Sequence, residues 1–167
     1  MNFCKIETCS IENGTGFRVV LWCSGCSHHC KGCHNPETWD GDAGREFTEK
    51  EKELIYKLLN KEYISGITFS GGDPMFKRNI PAVYQLLQDI KKDFPNKNIW
   101  LYTGYTFEEL QRDPDRKKLL PYIDVLVDGR FILEQRDITI AFRGSPNQRI
   151  IDVPATLKEN KIILKIS

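Results

Sequence analysis

"FRVVLWCSGCSHHCKGCHNP", residues 17–36, is the stretch on which the reading of this chain turns. Its first seven residues are β-branched, aromatic or apolar apart from one arginine, the composition of a strand. That strand ends at Cys23 and runs into a loop that holds Cys26, Cys30 and Cys33 together with His28, His29 and His34. A strand that delivers its end into a cluster of sulfur and imidazole donors predicts a site at one edge of a sheet.

The same alternation continues outward from that point. "FTEKEKELIYKLLNK" (47–61) carries Thr48 followed three residues later by Glu51, a capping box, and then apolar residues at helical spacing. "GITFSGG" (66–72) is a short apolar strand ended by glycines, and "IPAVYQLLQDIKKDF" (80–94) is an amphipathic helix stopped by Pro95. "NIWLYTG" (98–104) is the next strand. "TFEELQR" and "DRKKLLPYI" give short helical turns, and "IDVLVDGRF" (123–131) is a further strand with a turn at Asp128-Gly129. Beyond it come short apolar runs, "ITIAFRG" (138–144), "QRIIDV" (148–153) and "KIILKI" (161–166). Strands alternating with helices predict an α/β fold with a mostly parallel sheet and crossover helices. In such sheets ligand chemistry gathers at the carboxyl ends of the strands. Here those ends are the cysteine loop, "SGGDP", "YTGY" and "VDGR", and together they predict one active site.

Composition narrows the function classes. The 167 residues predict a single domain over 1–167 with a real core. Twenty-four basic and 23 acidic residues leave a net charge of +1, so no bulk field draws the chain to nucleic acid or to a membrane surface. No apolar run reaches the ~18 residues of a membrane span, and the N-terminus lacks the basic-then-apolar pattern of a signal peptide. The expectation is a cytoplasmic protein. In a reducing compartment, six cysteines with four clustered predict metal ligation or catalysis rather than disulfides.

Two ligand sets compete for the cluster. Cys23-x2-Cys26 with Cys30-x2-Cys33 resembles a pair of zinc knuckles, which would make the chain a zinc-binding interaction module. Such pairs usually stand ~12–20 residues apart on separate hairpins, and here three residues separate Cys26 from Cys30. The other set is Cys26-x3-Cys30-x2-Cys33. Iron–sulfur clusters normally take four cysteines, so three leave one iron open, and an open position marks a catalytic metal site.

The C-x3-C-x2-C spacing is similar to that of the radical S-adenosylmethionine superfamily, and "SGGDP" (70–74) is similar to its Gly-Gly-acidic-Pro stretch. "NGTGFRVVLWCSGCSHHCKGCHNPETW" (13–39), "GITFSGGDPM" (66–75), "IWLYTGY" (99–105), "DVLVDGRF" (124–131) and "RGSPNQ" (143–148) resemble, in order, the activating components of anaerobic ribonucleoside-triphosphate reductases. The tail at 149–167 has no counterpart in that resemblance. The resemblance implies an open partial (β/α) barrel of the radical S-adenosylmethionine type, too short for a complete barrel of roughly 200–250 residues. It implies a [4Fe–4S] cluster on Cys26, Cys30 and Cys33, which are also the catalytic residues. S-adenosylmethionine closes the open iron and lies against Gly32, Cys33, His34, Gly71 and Gly72, with Asp73 nearby. It implies the large glycyl-radical reductase as partner, and flavodoxin or ferredoxin as electron donor. A pyruvate formate-lyase activase or a small-molecule enzyme such as 7-carboxy-7-deazaguanine synthase is the alternative within the superfamily. Because the thiols lie elsewhere, Gly72→Val is expected to keep the cluster and to weaken only cosubstrate binding.

The remaining polar residues carry plainer readings beside functional ones. Cys23 is expected to be a small buried residue at a strand end, and Cys4 and Cys9 to be ordinary free cysteines. His28 and His29 are expected to be solvated or packing residues. Asp73 suits a turn cap before Pro74 as well as the cosubstrate, Asp128 suits a turn, and Arg143 suits a surface or a carboxylate. Trp100, Tyr102, Tyr105 and Phe107 divide between core and binding surface by alternation.

Overall fold

Alternation along the strands divides the buried residues between two faces of one sheet. The computed structural model describes residues 1–166. In chain order the elements are β1 (Asn2–Ser10), β2 (Phe17–Cys23), β3 (Arg45–Glu46), α1 (Glu49–Leu59), β4 (Ile64–Gly71), α2 (Ile80–Asp93) and β5 (Asn98–Tyr102). They are followed by α3 (Phe107–Arg112), α4 (Pro114–Lys117), β6 (Val125–Asp128), β7 (Arg149–Asp152), α5 (Val153–Glu159) and β8 (Leu164–Ile166).

Among the described residues the strands form a single eight-stranded sheet in the order β3-β1-β2-β4-β5-β6-β7-β8. β2, β4, β5 and β6 are mutually parallel neighbours, while β1, β3, β7 and β8 join as antiparallel wings. The linear order leaves β3 and β8 as edges, so the sheet is not closed. The fold is therefore mixed α/β with a mostly parallel centre, as the alternation of patterns predicts. Among the described residues no helix is long and apolar enough to cross a membrane.

One face packs against the helices. Val19, Leu21 and Cys23 of β2, Ile67 and Phe69 of β4, Ile99 and Leu101 of β5 and Leu126 of β6 share one core with Ile55 and Leu59 of α1 and Val83, Leu87 and Ile90 of α2. The intervening residues point to the other face, where Trp100, Val125, Val127 and Ile150 form a second cluster joined by Tyr102 and Phe142. Burial on both faces explains the near-continuous apolar runs of β2 and β6. The helix starts follow local rules too: Glu51 accepts the Thr48 N–H at 2.8 Å, closing the box ahead of α1.

The second face also holds a fully buried guanidinium. Arg18 donates to Thr68 Oγ1 at 2.8 Å, Asn98 Oδ1 at 2.7 Å and the Ile67 carbonyl at 2.8 Å, and lies over the Trp100 ring. Burial lowers its pKa to about 10, so it stays charged at neutral pH.

β1 is a full strand that the sequence patterns did not single out. Of the three later apolar runs, "QRIIDV" and "KIILKI" carry β7 and β8, with α5 between them, whereas "ITIAFRG" forms turns. Asp128 is neither an exposed turn residue nor a cavity residue. It is buried, accepts the Phe107 N–H at 2.7 Å and pairs with Arg149, which also binds Glu108. Arg149→Met leaves Asp128 a buried charge without its cation. With Arg149 and Glu108 partly in solvent, the expected cost is about 2–3 kcal/mol. Thermal unfolding is expected to fall by roughly 5–10 °C.

Candidate active site

The parallel strands β2, β4, β5 and β6 end on the same side of the sheet, and the loops that follow them meet there. The cysteine loop is gripped at its entry from two directions. On one side Gly25 N–H donates to the Thr38 carbonyl at 2.7 Å and Cys26 N–H to Trp39 at 3.0 Å. On the other, Gly72 N–H donates to the Cys23 carbonyl at 2.8 Å and Asp73 N–H to Gly25 at 2.7 Å. The loop ends in a tight turn, with Cys33 N–H donating to the Cys30 carbonyl at 3.0 Å across Gly32, whose φ of +74° suits glycine.

Cys26, Cys30 and Cys33 line one open cavity of about 610 Å³. Cys23 does not line it: alternation turns its side chain into the helix-side core, where it is fully buried. Burial pushes the Cys23 thiol far up, and also raises Cys26 and Cys30. These are soft donors that become thiolates most readily when a metal centre holds them. Among the described residues no three His, Cys, Asp or Glu side chains are placed as ligands of a single ion. Three of the four clustered thiols thus share one cavity, and the fourth faces the core.

Of the expected cosubstrate residues, Cys33, His34, Gly71 and Gly72 line the cavity. His34 packs on Phe131 with ring centroids 5.3 Å apart. Gly71 has φ +105°, and a Cβ on it would lie 2.5 Å from the Cys23 carbonyl oxygen. Gly72 has no such left-handed backbone; instead its Cβ would lie 2.5 Å from the Gly25 carbonyl oxygen and 2.8 Å from that of Thr38.

Gly32 and Asp73 are not among the lining residues. Gly32 faces the Leu133 side chain. Asp73 is buried, and its carboxylate accepts from Met75 N–H at 2.8 Å, Thr103 Oγ1 at 2.9 Å and Gly104 N–H at 3.0 Å, with His28 Nε2 at 2.9 Å. The cap reading of Asp73 thus has its partners in Met75 and beyond. His28 and His29 pack, as expected: His28 stands edge-on to Tyr105, and His29 stacks on Trp39 at 4.6 Å.

Several lining residues were not legible as site residues. Lys5 and Glu7 come from β1, and both reach Trp22: Lys5 Nζ is 4.6 Å from the indole centroid, and Trp22 Nε1–H donates to Glu7 at 3.3 Å. Their period-two spacing was the available signal. Phe131, Phe142 and Gln148 come from irregular segments, where no periodicity marks a face. Arg143 lines the cavity as well. Its Nη1–H donates to the Gln148 carbonyl at 2.9 Å, while its buried Nε has no partner among the described residues.

Residues 12–151 match the family described as a 4Fe-4S single cluster domain. The chain is 47% identical over 152 residues to the anaerobic ribonucleoside-triphosphate reductase-activating protein of Vibrio cholerae, covering 90% of this chain and 97% of that protein. It is 40% identical over 152 residues to the protein of the same name from Pasteurella multocida, with 90% and 96% covered. The corresponding protein of Escherichia coli K12 is 39% identical over 150 residues, with 89% and 96% covered. Similarity of this extent, on a sheet edge that carries three free thiols around one cavity, means that the chain belongs to the family of anaerobic ribonucleoside-triphosphate reductase-activating proteins.

Proposed function

We propose that this chain is a glycyl-radical-enzyme activase, a radical S-adenosylmethionine enzyme that generates the stable radical of an anaerobic ribonucleoside-triphosphate reductase. The observation that carries the reading is the arrangement of Cys26, Cys30 and Cys33 around one cavity with Gly71 and Gly72 in its wall. Family membership supports the activity and the reductase as partner. The open sheet supports an open partial barrel of the radical S-adenosylmethionine type, in one domain. Free cysteines in every position support a reducing, cytoplasmic setting.

Cys26, Cys30 and Cys33 would hold the [4Fe–4S] cluster, and S-adenosylmethionine would lie beside it against Cys33, His34, Gly71 and Gly72. When bound, such a cluster would supply the electron for reductive cleavage of S-adenosylmethionine. The protein's part is orientation and shielding. Gly71 and Gly72 leave the wall free of side chains, so that a ligand approaches the backbone closely. His34 and Phe131 form an aromatic flank, and Arg143 brings a cation to the same cavity. The open cavity at the strand ends leaves room for a glycine-bearing segment of the partner. There a hydrogen atom of that glycine would pass to the cleaved cosubstrate, leaving the unpaired electron on the partner.

The test uses anaerobically reconstituted protein with the reductase, S-adenosylmethionine and a reductant. Flavodoxin or ferredoxin serves as the proposed physiological donor. A glycyl doublet in the paramagnetic resonance spectrum is expected, and none from a reductase whose radical glycine is replaced by alanine. Full turnover of a small molecule without any protein partner would sink the activase reading.

A further inference from the structure

The three residues between Cys26 and Cys30 are each held by a contact outside the loop's own turn. Ser27 Oγ and Tyr105 Oη are 3.2 Å apart, and His29 stacks on Trp39. His28 is the deepest of the three, with its side chain 3% exposed. Its Nε2 lies 2.9 Å from Asp73 Oδ2, and its ring stands edge-on to Tyr105 at 4.4 Å between centroids. A carboxylate only accepts, so the tautomer that fits carries its hydrogen on Nε2. The ring also presses on the β5 loop: a Cβ on Gly104 would come within 2.3 Å of it.

Asp73 makes this more than a local packing contact. Oδ2, the oxygen nearest His28, also accepts Thr103 Oγ1–H and Gly104 N–H from the loop after β5. Oδ1 accepts Met75 N–H from the loop after β4. One buried carboxylate therefore ties the loops that follow β2, β4 and β5. Arg116 braces the far side, donating from Nε to the Met75 carbonyl at 2.9 Å and from Nη2 to Tyr105 Oη at 3.1 Å.

We propose that His28 and Asp73 form a positioning pair that holds the Cys26–Cys30 turn against the ends of β4 and β5, so that both sulfurs face the cavity before any cluster arrives. The proposal rests on the reading that Cys26 and Cys30 are cluster ligands, and it gives His28 the role of a partner that orients ligands from behind. Groups of that kind typically change metal affinity by 10–100-fold when removed. It also gives Asp73 a function that does not require contact with the cosubstrate.

Two variants separate the hydrogen bond from the packing. His28→Phe keeps a ring against Tyr105 and Gly104 but cannot donate; His28→Gln gives up the ring and keeps a donor of similar reach. Three readouts are taken: iodoacetamide labelling of Cys26 and Cys30 in the cluster-free protein, cluster loss to a chelator, and the cosubstrate-induced change in the reduced cluster's resonance spectrum. His28→Phe is expected to label several-fold faster, to lose cluster about tenfold faster, and to blunt the spectral change. His28→Gln is expected to restore most of all three. Wild-type labelling and retention in His28→Phe would overturn the proposal, and so would a His28→Gln protein as impaired as His28→Phe. If His28→Phe does not fold, His28→Leu takes its place with the same outcomes. If even the wild-type protein takes up no iron, the cluster reading fails, while the labelling comparison still decides the positioning pair.

Discussion

Cys26→Ala, Cys30→Ala and Cys33→Ala are each expected to abolish S-adenosylmethionine cleavage, whereas Cys23→Ala keeps a substantial part of it. The four cysteines lie within eleven residues, yet the fold separates them into one and three. Cys23 is the last residue of β2 and points into the helix-side core; the other three line the cavity. Loss of a cavity thiol removes a proposed cluster ligand that no neighbour can replace, because the loop entry is fixed by Thr38, Trp39, Cys23 and Gly25 through backbone hydrogen bonds. Cys23 cannot swing in as a substitute without pulling the end of β2 out of register with β4. Its own replacement removes a small apolar group and costs about 1 kcal/mol of packing. Iron content and 5′-deoxyadenosine yield, measured for all four variants, decide the matter. If Cys23→Ala matches the other three, the four-cysteine ligand set returns.

What the sequence reveals and what it hides divide along a physical line. β2, β4, β5, β6, α1 and α2 are legible because each follows a local rule: apolar runs for strands buried on both faces, a capping box, a 3.6-residue period. The cavity cysteines are legible because their spacing is local as well. The residues that were missed depend on partners far away in the chain. His28 acquires its role from Asp73, 45 residues on, and Asp128 from Arg149, 21 residues on. Nothing in "SHHC" distinguishes the histidine that ties down the loop from the one that stacks on Trp39. The tail is a similar case. It lies outside the motifs, but Ile150 and Ile151 are buried and β7 pairs with the last parallel strand. Removing it strips Asp128 of Arg149, so stability is expected to suffer first.

Gly72→Val is expected to lose cluster and cosubstrate binding together, not cosubstrate binding alone. The expectation that the cluster survives assumed that the glycine pair and the thiols are independent. They are not: the Gly72 Cβ position is 2.5 Å from the Gly25 oxygen and 2.8 Å from the Thr38 oxygen, the two backbone segments that hold the entry to Cys26. Contacts that short do not occur, and backbone cannot rotate away as the end of a long side chain can. Gly25 has little freedom to move. It sits at φ +99°, where a Cβ would come within 2.4 Å of the Phe76 ring, and it takes part in hydrogen bonds to Thr38 and Asp73. The added side chain must therefore push Gly25 and Cys26 away from the sheet edge, breaking the bond from Asp73 N–H on which the loop leans. Overpacking of this kind costs about 1–3 kcal/mol in stability, occasionally more, and here the displacement falls one residue from a cavity thiol. Gly72→Ala, which adds only the offending carbon, is expected to show the same two losses to a smaller degree. Iron per chain after anaerobic reconstitution is the deciding measurement, read beside the cosubstrate-induced spectral change and the unfolding temperature. A Gly72→Val protein that retains full iron while failing to bind S-adenosylmethionine would mean that the cysteine loop yields more easily than its hydrogen bonds indicate, and that the glycine serves the cosubstrate alone.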